Sequence, residues 1–241
     1  MKKNSNPEKE LPVIEHLREL RRRLIICLVS LGIFSIIGLS FAGSLLEFLK
    51  FPARDLIPKL VFLSPQEGLL VYIRVSFIFA FILSLPVILY QVWAFILPAL
   101  EEKLKRYTLR FILAGILAFI LGGAFGYFIL VPPALKFLLS FAKEQFQPLI
   151  SAQSYISFVS SLIFLSGLVF ELPVLSVILA RLGLLTHKFL RKNFKFAVVL
   201  IFILCAIVTP TVDAFNLLIL AGPVLLLYEV SIWLCRIFER K

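Results

Sequence analysis

The sequence predicts an all-α integral membrane protein with six transmembrane helices and both termini on the cytoplasmic side. Three observations carry that expectation: six long runs nearly free of charge, a composition more apolar than soluble domains have, and an uneven sharing of Lys and Arg between loops. Of the 241 residues, 61% are hydrophobic and 16% charged. Soluble domains run at roughly 45–50% apolar and about 25% charged. Mean hydropathy is +1.01. A single membrane domain over residues 1–241 with short loops is therefore expected.

A helix needs about 20 apolar residues to cross the hydrocarbon core. Leu24–Leu46, Val75–Leu100 and Phe111–Leu135 carry no charge. Phe146–Phe170 is likewise uncharged, Glu171 interrupts, and the run resumes over Leu172–Ala180. Phe196–Val212 is shorter, and Ala214–Cys235 is broken only by Glu229. The expected spans are approximately 24–46, 69–97, 108–132, 153–180, 194–210 and 213–235, preceded by a cytoplasmic tail and amphipathic lead-in over 1–23. Thr209–Asp213, with Pro210 as breaker, reads as a tight turn that makes spans five and six a hairpin, and Asp213 as the N-cap of span six. Span five is barely long enough to cross.

Loop charges orient the bundle. With the N-terminus inside, nineteen of the 25 Lys and Arg fall in the tail, the second and fourth loops and the C-terminus. The opposite side holds five: Lys50, Arg54, Lys59, Lys136 and Lys143. Arg74 opens span two. The positive-inside rule then places both termini in the cytoplasm. This distribution also argues against nucleic-acid binding as the meaning of a net charge of +11. The basic run Arg21–Arg23 before an apolar stretch resembles a cleavable signal, but that stretch is longer than the roughly 7–15 residues of such a segment.

Cys27, Cys205 and Cys235 lie singly in apolar runs, without metal or redox spacing, and read as small buried hydrophobes. Protease, esterase and nucleotide-binding motifs are absent. No enzyme, cofactor or metal is expected. The two halves do not repeat one another, which argues against inverted-repeat transporters.

Polar residues at unusual places mark the candidate sites. In the lead-in, Leu17, Leu20 and Leu24 share one helical face, and Glu15 and Glu19 another. A short amphipathic helix, opened at Pro12, is expected to lie in the interface before the chain turns into span one. Glu19 also sits three and four residues before Arg22 and Arg23, so a local charge offset is the plain alternative. The exit of span two, Pro86 to Pro98, carries Tyr90, Gln91, Trp93 and Phe95, and is followed by Glu101 and Glu102 in a basic loop. Glu171 lies ten residues before Arg181, roughly 15 Å along a helix, and so near the bilayer middle. Pro173 kinks the helix beside it. A carboxyl at that depth is a functional candidate by default. The alternative is a protonated Glu satisfied by a neighbouring Ser or carbonyl. Glu229 in span six is a second polar spot.

Taken in order, these segments resemble the TatC family of the twin-arginine translocase, over nearly the whole chain. His16–Arg21 resembles its N-terminal signature, Ser64–Gly68 the motif before span two, and Pro86–Pro98 the span-two exit. Phe170–Pro173 is similar to its span-four motif, Thr209–Asp213 to the turn between spans five and six, and Leu227–Glu229 to the late span-six motif. The resemblance implies a cup-shaped bundle in the bacterial inner membrane, part of an oligomeric complex. It implies binding of twin-arginine signal peptides of folded cargo, with Glu19, Leu20, Arg21, Gln91, Phe95, Glu101 and Glu102 at the site. It further implies single-span partner subunits of the TatA/TatB type, met at Glu171, Pro173 and Glu229, and contact with membrane lipid. In one departure, the family's usual glutamate beyond the span-two proline falls on Leu104 here, with Glu101 and Glu102 earlier in the loop. The rival reading is a small proton-coupled secondary transporter using Glu171, and a third is a plain membrane scaffold.

The orientation is testable directly. Single cysteines at Ser64 and Gln147, in a background lacking the three native ones, should react with an impermeant reagent from the outer face. Reaction from the inner face alone would overturn the orientation.

Overall fold

A computed structural model describes residues 7–54, 56–57, 59–96, 108–140, 149–181, 183–208 and 214–238. Helix α1 spans Pro7–Lys50 and ends in a 3-10 turn, Phe51–Ala53. Helix α2 is Glu67–Ile96. Helix α3, Thr108–Phe125, passes through a π segment, Gly126–Leu130, into α4, Val131–Ser140. Helix α5 is Ala152–Arg181, α6 the short His187–Lys192, α7 Phe194–Val208 and α8 Ala214–Phe238. Among the described residues there is no strand, only one parallel bridge between Val61 and Ser151. Among the described residues, five helical stretches are long and apolar enough to cross a membrane. Helix α7 has 15 residues, about 22 Å, and falls short of a hydrocarbon core about 30 Å thick.

The lead-in departs from expectation. It is no separate interfacial helix: α1 runs unbroken for 44 residues, about 66 Å. After Pro12 it contains no proline, and its Leu, Glu and Arg residues are all strong helix formers, so nothing in the sequence forces a turn. The helix opens at Pro7 instead of Pro12. In the third span Pro132 and Pro133 do not stop the helix either. The Val131 N–H bonds to the Gly126 carbonyl, five residues back. This widened turn, just ahead of the prolines, re-routes the ladder where their missing N–H groups would interrupt it. The expected turn at Thr209–Asp213 lies outside the described residues.

Two helix contacts fix the frame, and glycine makes both. A Cβ on Gly38 would stand 2.8 Å from the Ser76 carbonyl oxygen, so α1 and α2 meet backbone to backbone. A Cβ on Gly122 would stand 2.5 Å from the Ser166 carbonyl oxygen, which brings α3 equally close to α5. Small residues permit such approach in lipid, where dispersion and hydrogen bonds drive association. The register of the first contact matters for function. Arg23 lies fifteen residues before Gly38, and Gln91 fifteen after Ser76. In an antiparallel pair these positions come opposite one another.

We call the end of the bundle bearing Arg23 and Gln91 the proximal end. The distal end is pinned by polar contacts to main chain. The Tyr127 hydroxyl donates to the Phe48 carbonyl at 2.5 Å, and the Tyr155 hydroxyl to the Leu49 carbonyl at 2.7 Å. Phe48 needs that donor, because the residue four ahead of it is Pro52, which has no N–H. Around these pins packs a buried cluster that includes Val71, Val75, Val131, Ile156 and Val159. A smaller proximal cluster joins Trp93, Ile112 and Ile178, with the Trp93 and Phe111 rings stacked at 5.0 Å.

Gly38→Ala should therefore lower the melting temperature of the purified protein, at a cost of about 1–3 kcal/mol for a forced contact against backbone. Gly43→Ala, where a Cβ meets open space, is the matched control and should melt as wild type. Equal melting of all three would deny the close contact.

Candidate functional site

The α1–α2 register assembles a small polar pocket at the proximal end. Glu19, Arg22, Arg23, Ile26 and Gln91 line a cavity of about 300 Å³. The Arg23 guanidinium donates through Nε to Glu19 Oε1 at 3.1 Å, and through a second nitrogen to the same oxygen. Its remaining terminal nitrogen reaches Gln91 Oε1 at 3.2 Å. The local offset foreseen between Glu19 and Arg23 is thus present, and Gln91, 68 residues away in sequence, completes it. Glu19 keeps about a third of its side chain exposed. A guanidinium is the one side chain whose planar fork of donors matches a carboxylate and an amide oxygen together. Leu20 and Arg21 are exposed beside this pocket and Phe95 is half-buried. Glu101, Glu102 and Leu104 lie outside the described residues.

Glu171 is half-buried on α5. Its Oε1 is enclosed without a hydrogen-bond partner among the described residues. The carboxyl lies over Gly115 of α3: a Cβ there would stand 3.2 Å from Oε2 and 3.0 Å from Leu89 Cδ1. Glycine at 115 is what leaves room for the carboxyl between the helices. Pro173 is buried, and its carbonyl accepts from the Ser176 hydroxyl at 2.8 Å. Glu229, which sequence placed among the mid-membrane polar residues, is engaged with the loop helix α6. Arg191 donates to both its oxygens, at 3.1 and 2.8 Å, with both side chains partly exposed. Nothing in the spacing of two residues 38 apart announces that pair.

Sequence reasoning missed Glu67. It appears there only as part of a motif, yet it is a buried carboxylate at the distal end. It accepts from the Leu63 N–H at 2.7 Å and from the Gln153 N–H at 2.8 Å. It thereby ties the start of α2 to the start of α5, beside the Val61–Ser151 bridge. Its position in the first turn of a helix was a signal, since acids favour that end of the dipole. Its second donor comes from 86 residues away and leaves no local trace. Among the described residues no cluster of His, Cys, Asp or Glu has the makings of a metal site.

Fold and polar sites together define a class: a polytopic helical membrane protein with polar residues clustered toward the helix ends and carboxyls, Glu171 and Glu229, inside apolar spans. Comparison with known proteins makes the class particular. The family described as Sec-independent protein translocase protein (TatC) matches residues 15–223. A relative of that name from Aquifex aeolicus is 42% identical over 235 residues, covering 96% of this chain and 97% of the relative. Another, from Carboxydothermus hydrogenoformans, is 38% identical over 234 residues, covering 97% and 96%. A crystal structure described as the twin arginine translocase receptor TatC superposes with a TM-score of 0.83 at 41% identity, covering 93% of this chain and all of that one. The chain belongs to the TatC family and is a component of the twin-arginine protein translocase.

The Glu67 clamp is open to test. Glu67→Ala strips the acceptor from two buried main-chain N–H groups and should lower the melting temperature clearly. Glu67→Gln keeps one acceptor oxygen and should fall between. An unchanged melt for Glu67→Ala would remove the clamp from the account.

Proposed function

We propose that this chain is the receptor subunit of the translocase, taking the paired arginines of signal peptides on folded cargo at the proximal pocket. One observation carries the reading: Glu19 and Gln91 already hold a guanidinium, that of Arg23, in the geometry an incoming arginine requires. A signal peptide's arginine would replace Arg23 on the same oxygens. A second carboxylate, Glu101 or Glu102, takes the other arginine. On this reading the peptide's apolar stretch passes beside Leu20, Arg21 and Phe95. Each partly exposed ion pair is worth about 0–1 kcal/mol, so apolar contact must supply most of the affinity. The proximal end faces the cytoplasm, as the loop cations require.

Glu171, with the Pro173 kink beside it, is proposed as the contact for single-span partner subunits in an oligomeric complex. Its enclosed oxygen has no hydrogen-bond partner among the described residues. An interhelical hydrogen bond in a membrane is worth about 1 kcal/mol, weak enough for assembly on demand. Glu229, on α8, borders the same complex. The transporter reading is not favoured, because the relatives are named as protein translocase components.

Titration of a fluorescent twin-arginine peptide against the reconstituted protein tests both sites. Glu19→Gln should weaken binding up to about fivefold, the equivalent of about 1 kcal/mol, and Glu101→Gln with Glu102→Gln should do likewise. Glu171→Ala should leave peptide affinity intact while reducing partner crosslinking and transport, with Glu171→Gln milder. Unchanged affinity in the Glu19 and Glu101/Glu102 variants would remove those carboxylates from the site. Loss of peptide binding in Glu171→Ala would move Glu171 into it.

A further inference from the structure

A wide groove lies at the distal end, away from both proposed sites. It has a volume of about 880 Å³, between the end of α1, the loop that follows, and the π segment of the third span. Three cations line it: Lys50 at the end of α1, Arg54 just past the 3-10 turn, and Lys59 in the loop. All three are exposed, and among the described residues none is ion-paired. Among the described residues one carboxylate, Glu47, shares the groove with the three cations. The opposite-side loops hold only five of the chain's Lys and Arg, so three in one groove is a concentration where cations are otherwise sparse. Lys50 answers the negative end of the α1 dipole. Arg54 and Lys59 lie beyond it and have no such role.

The remaining walls are apolar and aromatic. Phe48, Phe51 and Phe128 are 56%, 61% and 62% exposed at the rim. Phe48 stacks on Tyr127 at 4.6 Å. Aromatic rings at this level of a membrane helix sit at the headgroup boundary. Cations above and rings below match the cross-section of a lipid: a phosphodiester outward, acyl chains inward. The two tyrosine hydroxyls that might compete for an anion's partners are already committed, to the Phe48 and Leu49 carbonyls. Those bonds also take up two carbonyls whose partial negative charge would repel a phosphate.

We propose that this groove is a binding site for the headgroup of an anionic phospholipid of the distal leaflet, held by Lys50, Arg54 and Lys59 over the Phe48–Tyr127 stack. The site is independent of signal-peptide recognition. The lipid fills the gap between α1 and the third span, which share no glycine contact like those at Gly38 and Gly122. Specificity is for the phosphate's charge, with zwitterionic lipids excluded because their own ammonium meets the three cations.

The test uses the full chain in nanodiscs of phosphatidylcholine with and without phosphatidylglycerol, with retained lipid counted by native mass spectrometry after extraction. Wild type should retain phosphatidylglycerol in preference to phosphatidylcholine. Each cation replaced by Gln should lower that retention about fivefold, the worth of one basic residue against an anionic surface. K50Q/R54Q/K59Q should retain neither lipid selectively while melting as wild type in phosphatidylcholine alone. Lys59→Gln, a single change on a loop, guards against a triple variant that fails to fold. Removing Lys188 and Lys192 at the proximal end should change nothing. Undiminished phosphatidylglycerol retention in both Lys59→Gln and the triple variant overturns the proposal. So does displacement of the lipid by inorganic phosphate, which would make this a free-anion site, or by an acidic peptide, which would make it a protein-docking site.

Discussion

The contact of Gly38 with the Ser76 carbonyl governs the arrangement of the functional residues. It is the place where two long helices lose the spacing that side chains impose and take a register set by backbone. Fifteen residues toward the proximal end on either helix stand Arg23 and Gln91, bonded at 3.2 Å. Toward the distal end the same pair of helices delivers Leu49 and Glu67, each bonded to the start of α5. One helix crossing therefore positions a guanidinium-holding pocket at one end and a main-chain clamp at the other. The second crossing, at Gly122 and Ser166, does the same for Glu171, laying its carboxyl over Gly115 seven residues earlier, two turns along α3.

The helical class was legible because the bilayer demands it. A backbone in hydrocarbon must satisfy its own hydrogen bonds, so charge-free runs of sufficient length become helices whatever their side chains. Local polar oddities were legible too. Glu19 before Arg23, Glu171 beside Pro173 and the aromatic exit of α2 all declare themselves within a few residues. What stayed hidden was long-range: the Gln91 contribution to the Glu19 pocket, the Arg191 grip on Glu229, and the two-ended role of Glu67. Each depends on residues 38 to 86 apart, and nothing within one segment encodes its partner in another. The continuity of α1 and of the third span through Pro132 and Pro133 was hidden for a different reason. Turns are inferred from breakers, yet α1 has no proline after Pro12, and the π segment accommodates those in the third span.

The two ends of the bundle handle charge differently. At the proximal end cations are abundant, and Arg23 is bound to Glu19 and Gln91, so on the proposed reading an incoming guanidinium would exchange with Arg23. Exchange costs little, since the bonds broken and formed are alike, and it favours the ligand that adds apolar contact. At the distal end cations are few, and three of them stand together beside aromatic rings, without ion pairs among the described residues. The interior carries the glycine crossings and a carboxyl with one enclosed oxygen that has no partner among the described residues. Recognition on this view belongs to the ends, and assembly to the middle.

The central claim is that the pocket beside Gln91 receives the arginines of a signal peptide. A photo-reactive residue in place of Gln91, with a second protein carrying it in place of Ile57 at the distal end, tests that claim most directly. The account predicts crosslinks to a twin-arginine peptide from position 91, sharply fewer to a twin-lysine peptide, and none from position 57. Equal crosslinking of both peptides at position 91, or crosslinking from position 57 instead, would contradict it.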